Sequence, residues 1–267
     1  MKINTGPLSK LIFTSLILLG LTACGQEKTV LKIGATVGPH AEVVEAVAQE
    51  AKKQGLDVEV IEFSDYITPN AALESGDIDL NSYQHKPFMD NYNKSANAHL
   101  VSLGRSILMR MGIYSSKYQH IQDLPDNALV AIPNDPTNGG RGLLLLADAG
   151  LITLKDNVGY KATLQDVVKN PKHLKFVEME AAQLPRSLED VDVATITMNY
   201  VMSAGLDPKQ NGIYLEAKDA PLAVMIVAAK ADQKDNKSYQ KFMKIFHSQV
   251  IRDFIQNKFK GTIEPAF

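Results

Sequence analysis

"LKIGATVGPHAEVVEAVAQEAKKQGLDVEVIEF", residues 31–63, carries the architecture of the chain. Residues 31–36 read as a buried strand. Pro39 then stands where a first helical turn tolerates a residue without an N–H. Val43, Val44, Val47, Ala48 and Ala51 follow on one face at helical spacing. Gly55 supplies the stop, and residues 57–63 set Val58, Val60 and Ile61 among acids, as a half-buried strand does. A strand–helix–strand unit of this kind predicts a parallel sheet with a right-handed crossover.

The same grammar continues toward the C-terminus. "TPNAALESGD" (68–77) predicts a short helix ending at Gly76, "IDL" (78–80) a short strand and "HKPFMDNYNKSA" (85–96) a helix. Strands are expected at 99–104 and 106–116, and a second block begins near Lys117. That block predicts strands at 128–133, 174–179 and 191–197, with helices after 134, at 163–170 and at 183–190. "PLAVMIVAAK" (221–230) reads as another buried strand. Residues 236–259 read as one long amphipathic helix, with Phe242, Ile245, Phe246, Val250, Phe254 and Ile255 on one stripe. The fold class is therefore α/β, in two lobes with a cleft between them. Residues 31–116 and 222–267 are assigned to lobe 1 and 117–221 to lobe 2, with a hinge near 113–118 and 217–222. Ligands of open α/β sheets lie beyond the carboxyl ends of the strands. The loops to inspect are 34–40, 63–70, 81–88, 133–141 and 197–200.

The first 23 residues follow other rules. Lys2 and Lys10 precede the uncharged apolar run "LIFTSLILLGLTA" (11–23), which is too short for a spanning helix and suits a signal peptide. It ends in "LTAC", where Cys24 is the only cysteine of the chain. That pattern looks like a lipobox, so Cys24 is expected to carry a lipid, with residues 24–30 as a short polar tether. A lone cysteine with no disulfide partner suits an exported, lipidated chain. The formal charge of −2 gives no electrostatic case for nucleic acid.

No serine-hydrolase elbow, phosphate-binding loop, zinc-helix motif or paired-cysteine spacing is present, and the six histidines are scattered. No cofactor or metal is expected, and a binding protein is favoured over an enzyme. "NDPTNGGRGLLLL" (134–146) is a turn-rich loop feeding an apolar helix. A helix N-terminus suits an anion, and Arg141 offers a guanidinium for a carboxylate; the alternative is that Arg141 pairs with a surface acid. In "NSYQHKPFMD" (81–90), the run Gln84-His85-Lys86 argues against a core strand. The segment reads as a strand-end loop and helix start. Tyr83 and Phe88 are either core packing or, together with Tyr66 from the neighbouring loop, the wall of a pocket.

"SDYITPNAALESGDIDLNSYQHKPFMD" (64–90), "AIPNDPTNGGRGLLLLADAGLI" (131–152), "EMEAAQLPRSLEDVDVATI" (178–196) and "GPHAEV" (38–43) resemble the NlpA/MetQ lipoproteins, methionine-binding components of ABC importers. The likeness runs from Cys24 to the C-terminus. It implies a two-lobed periplasmic-binding-protein fold, type II-like, that closes on a small ligand and delivers it to a membrane permease and its ATPase. It also implies that the protein is lipid-anchored in the bacterial cell envelope, facing the periplasm or exterior. Carried onto this chain, it gives Tyr66, Tyr83, His85 and Phe88 as the wall around the ligand side chain and Arg141 as the carboxylate partner. Two positions depart from the family pattern. Where members carry asparagines that hold the ligand's polar end, this chain has Thr197 and Val224, with Asn199 two residues further on.

Three functions follow as expectations. The leading one is a solute-binding lipoprotein for methionine or a methionine-like compound, with D-methionine, a methionine derivative, a Met-containing dipeptide or another small carboxylate as variants. A surface lipoprotein with an adhesion or scaffold role is the second. A periplasmic enzyme is the third, and for it only His85 offers an acid or base.

Overall fold

The computed structural model describes residues 1–2 and 30–267. The apolar N-terminal run, Cys24 and the tether up to Thr29 lie outside the described residues. The strands are β1 (Leu31–Thr36), β2 (Val58–Phe63), β3 (Leu80–His85), β4 (Leu100–Leu108), β5 (Met111–Tyr114), β6 (Leu129–Pro133), β7 (Thr153–Leu154), β8 (Val167–Lys169), β9 (Lys175–Met179), β10 (Val193–Thr197), β11 (Gly212–Leu215), β12 (Val224–Lys230) and β13 (Glu264–Pro265). The helices are α1 (Pro39–Lys53), α2 (Thr68–Ser75), α3 (Lys86–Ala96), α4 (Pro136–Asp148), α5 (Leu184–Ser187), α6 (Met198–Ser203), α7 (Lys237–Phe246) and α8 (Gln249–Phe259). No helix among the described residues is long and apolar enough to cross a membrane.

Two lobes form, each on one sheet. The first sheet has the order β13-β4-β12-β3-β1-β2, and the second β11-β5-β10-β6-β9. The opening βαβ unit is as the periodicity predicts. β1 pairs in parallel with β2 and β3, and α1 buries Val43, Val44, Val47 and Ala51 against them. β6 likewise pairs in parallel with β9 and β10. The sheets are nevertheless mixed. β12 runs antiparallel to β3 and β4, and β5 antiparallel to β10 and β11. β12 and β5 are the strands that arrive from the other half of the chain.

The chain crosses between the sheets twice, at 109–110 and at 216–223. The expected start of the second block at Lys117 falls too late, because β5 gives its hydrogen bonds to β10 and β11. The two crossings touch: Met109 N donates to Ala223 O at 2.7 Å, and Glu216 N donates to Met111 O at 3.0 Å.

Three local expectations need correction. The segment read as a loop at 81–85 is the body of β3, and all six β3 residues are buried. Its polar side chains are paired off inside the protein. Asn70 Nδ2 donates to Gln84 Oε1 (2.8 Å), Gln84 Nε2 donates to Asn70 Oδ1 (2.6 Å), and Asn81 Nδ2 donates to Asn70 Oδ1 (2.9 Å). A strand flanked on both sides and supplied with such partners tolerates amides in its core. Residues 163–170 form a 3₁₀ turn (Leu164–Asp166) and β8, not a helix. The long C-terminal helix is broken at His247–Ser248 into α7 and α8. The His247 ring stacks on Phe267 (4.7 Å between centroids), and its Nε2 bonds to Arg105 O at 2.8 Å.

Candidate functional site

The candidate residues come together at one place, the seam between the lobes. Each sits where a parallel strand ends or its following helix begins, as this topology dictates. Tyr66 follows β2, and Tyr83 and His85 close β3. Phe88 lies in the first turn of α3 and Arg141 in the second turn of α4. Thr197 ends β10, and Asn199 opens α6. Between them lies a narrow pocket lined by side chains of both lobes.

One wall is aromatic. The Tyr66 ring lies 5.9 Å from Tyr83 and 6.3 Å from Phe88, and Tyr83 and Phe88 meet edge-on at 5.9 Å. Tyr200 backs the wall, with its ring 4.6 Å from that of Tyr66. Burial pushes the phenols of Tyr66, Tyr83 and Tyr200 well above the usual tyrosine range, so all three stay neutral.

His85 is the N-cap of α3. Its Nδ1 accepts from Phe88 N at 3.1 Å, which leaves Nε2 to carry the proton toward Asn138 Oδ1 at 3.2 Å. Burial, aided by the Arg141 charge, lowers its pKa to about 3. The ring is therefore a neutral bridge between the lobes. Tyr66 Oη and Thr197 Oγ1 form a second bridge (3.0 Å), and Ser203 Oγ donating to Val37 O a third (2.9 Å).

Arg141 is 2% exposed, and the sequence explains how a guanidinium is buried there. Asp135 caps α4 through Asn138 N (2.8 Å), and the flanking glycines let the helix approach its neighbours closely. A Cβ on Gly140 would run into the Tyr160 carbonyl, and one on Gly142 would stand 2.5 Å from Thr195 Oγ1. Both readings of Arg141 hold in part. It has an acid partner, Glu216, but a buried one: Nε donates to Oε1 at 2.9 Å and Nη2 to Oε2 at 2.5 Å. Nη2 also donates to Met109 O at 3.0 Å. Nη1 has no protein partner among the described residues, and the side chain lines the pocket.

The two positions that depart from the family pattern are placed differently from each other. Thr197 spends its hydroxyl on Tyr66. Val224 is outside the lining: β12 turns Met225 into the pocket instead. Asn199, 1% exposed, lines the pocket with neither Oδ1 nor Nδ2 in a well-formed hydrogen bond, although its amide sits close enough to favour the Tyr66 phenolate. The sequence reading also missed His40, in the first turn of α1. It lines the pocket, its Nδ1 has no partner, and burial lowers its pKa to about 3. The loop 34–40 pointed to the right place without singling out the residue. Met109, Met198 and Met225 line the pocket as well and carried no sequence signal.

An aromatic wall facing a half-used guanidinium across a two-lobed cleft is the arrangement of a solute-binding site. A family model described as NlpA lipoprotein matches residues 31–267. The chain belongs to the NlpA lipoprotein family. Among the relatives of this NlpA chain, the D-methionine-binding lipoprotein MetQ of Escherichia coli O157:H7 is 44% identical over 249 residues, covering 91% of this chain and 92% of the relative. A solved nutrient-binding protein from Burkholderia cenocepacia bound to methionine superposes with a TM-score of 0.86 at 44% identity, covering 89% of this chain and 100% of that one. A solved methionine-binding protein, MetQ, gives 0.85 at 42% identity, covering 89% and 98%. The NlpA chain thus has the two-lobed α/β fold of ABC-importer binding proteins.

Proposed function

We propose that this chain is a lipid-anchored solute-binding protein that captures methionine, or a compound built like it, in the interlobe pocket. It then delivers the ligand to the permease and ATPase of an ABC importer. The observation that carries the reading is the pairing of an aromatic and thioether-lined wall with one uncommitted guanidinium nitrogen at the other end. A thioether against such rings gains about 0.3–1.5 kcal/mol per contact beyond burial, and a charge-assisted bond to Nη1 orients the carboxylate. The methionine-binding relatives supply independent support.

In this reading Cys24 carries the lipid and residues 24–30 form the tether, which places the protein on the cell envelope. Tyr66, Tyr83, His85 and Phe88 surround the ligand side chain, and Arg141 takes the carboxylate. Asn199 takes the polar end in place of Thr197. The lobes close about the two crossings at 109–110 and 216–223; the expected hinge at 217–222 falls within the second crossing, and the one at 113–118 lies past the first. The His85 ring is committed to two partners, which fits a wall residue of a binding site.

A thermal-shift titration with L-methionine, D-methionine and Met-containing dipeptides tests the reading. A ligand at a hundred times its Kd stabilises the fold by about 2.7 kcal/mol, a rise of several degrees in Tm. If none of these compounds raises Tm at millimolar concentration, methionine-type binding is wrong.

A further inference from the structure

The geometry points to Glu216 as the positioning residue of the site: it orients Arg141 so that Nη1 alone faces the ligand, and it sets the charge of the pocket. The inference rests on the reading that Arg141 meets a carboxylate, and it concerns a residue outside the pocket lining.

Glu216 lies in the second crossing, immediately after β11. Its carboxylate grips Arg141 side-on through Nε (2.9 Å) and Nη2 (2.5 Å), and Oε2 also accepts from Met111 N at 3.0 Å. A guanidinium is a rigid planar fork, so fixing Nε and Nη2 fixes the direction of Nη1. Met109 O takes a further bond from Nη2 at 3.0 Å. The guanidinium is therefore anchored to the first crossing through Met109 O and to the second through Glu216, whose carboxylate also holds Met111 N at the start of β5. Any carboxylate that pulls on Nη1 pulls on both segments about which the lobes would move.

A buried ion pair is poor value as a stabiliser, because desolvation offsets most of its attraction. Positioning gives the pair another role. There is also a charge consequence. None of the residues lining the pocket is an Asp or Glu, and the Arg141 charge is already balanced by Glu216. The Asp135 carboxylate at the start of α4 also acts on Tyr66 and Tyr83, so with Arg141 offset by Glu216 the pocket suits a zwitterionic amino acid better than an anion of the same shape.

The test is calorimetric titration of the full chain with methionine and two analogues. Methioninol replaces the carboxylate by a hydroxymethyl group, and the 2-hydroxy analogue of methionine replaces the ammonium by a hydroxyl. Glu216→Asp keeps the charge but shortens the reach by one methylene, so it cannot hold Nε, Nη2 and Met111 N together. It should weaken methionine by about tenfold, the loss of one well-aligned bond to a charged group, and methioninol by less than threefold. Glu216→Gln keeps the shape and leaves Arg141 unbalanced, so the affinity ratio of the 2-hydroxy analogue to methionine should rise above that of the wild type. Equal losses for methionine and methioninol in Glu216→Asp would mean a purely structural residue and overturn the positioning role, as would no loss at all. An unchanged ratio in Glu216→Gln would overturn the charge role. Failure of the wild type to bind methionine sinks the proposed function instead, so the two failures are distinguishable.

Discussion

Asn199 shows how a single side chain is held ready for something absent from the protein itself. A buried amide with no well-formed hydrogen bond costs about 1–3 kcal/mol, and both polar atoms of Asn199 are in that state. His40 Nδ1 is buried without a partner in the same pocket. Such groups are stability given up for recognition, because a ligand that pairs with them recovers the penalty on binding. Asn199→Ala should therefore move two quantities in opposite directions. In urea denaturation, the ligand-free variant should be about 1 kcal/mol more stable than the wild type. In calorimetry, methionine should bind about tenfold more weakly. If stability and affinity fall together, Asn199 is a structural residue and the polar end of the site lies elsewhere.

At the scale of elements, β3 is the piece whose stability depends on a neighbour in space. Asn70, at the start of α2, accepts from Gln84 and Asn81 and donates back to Gln84. Asn70→Ala removes three hydrogen bonds from two buried amides in the strand that carries Tyr83 and His85, and leaves them only each other and Pro69 O. It should lower the free energy of unfolding by about 2–4 kcal/mol, against less than about 0.5 kcal/mol for Asn91→Ala on the exposed side of α3; equal urea midpoints would sink the network as a support of the site. The same network explains why β3 was illegible in the sequence. The alternation of β2 and the helical spacing of α1 are local properties, and both elements were readable. The tolerance of β3 for Asn81 and Gln84 depends on Asn70, which only the fold brings near. β5 was assigned to the wrong lobe for a related reason: its pairing with β10 and β11 is not encoded in its own residues. In the site, the aromatics and Arg141 stood out because rings and a lone guanidinium in turn-rich loops are unusual. Thr197 and Asn199 were reached only through the family resemblance, Met225 depended on which face β12 turns inward, and Glu216 looked like any other acid.

The whole molecule is held shut by the groups that form the site. His85–Asn138, Tyr66–Thr197 and Ser203–Val37 join the lobes directly, so closure does not depend on ligand contacts alone. The cost is acid sensitivity. His40 and His85 have pKa values lowered to about 3 by burial, whereas in an unfolded chain an imidazole titrates near 6.5. As pH falls below about 6.5, the unfolded state takes up two protons that the folded state refuses, and stability drops with pH. Each histidine contributes a slope of about 1.4 kcal/mol per pH unit, until the folded protein itself protonates near pH 3. The depressed carboxyls of Glu50 and Asp166 act only at lower pH, below their ordinary values of 4.5 and 3.8. The window from pH 6.5 to 5 therefore isolates the imidazoles. Urea titrations across that window should show the wild type losing stability steeply. His40→Asn and His85→Asn should each flatten the slope by about half, whatever their stability at pH 7. Slopes that stay equal to the wild type would place the acid sensitivity outside the cleft and remove the two buried histidines as its cause.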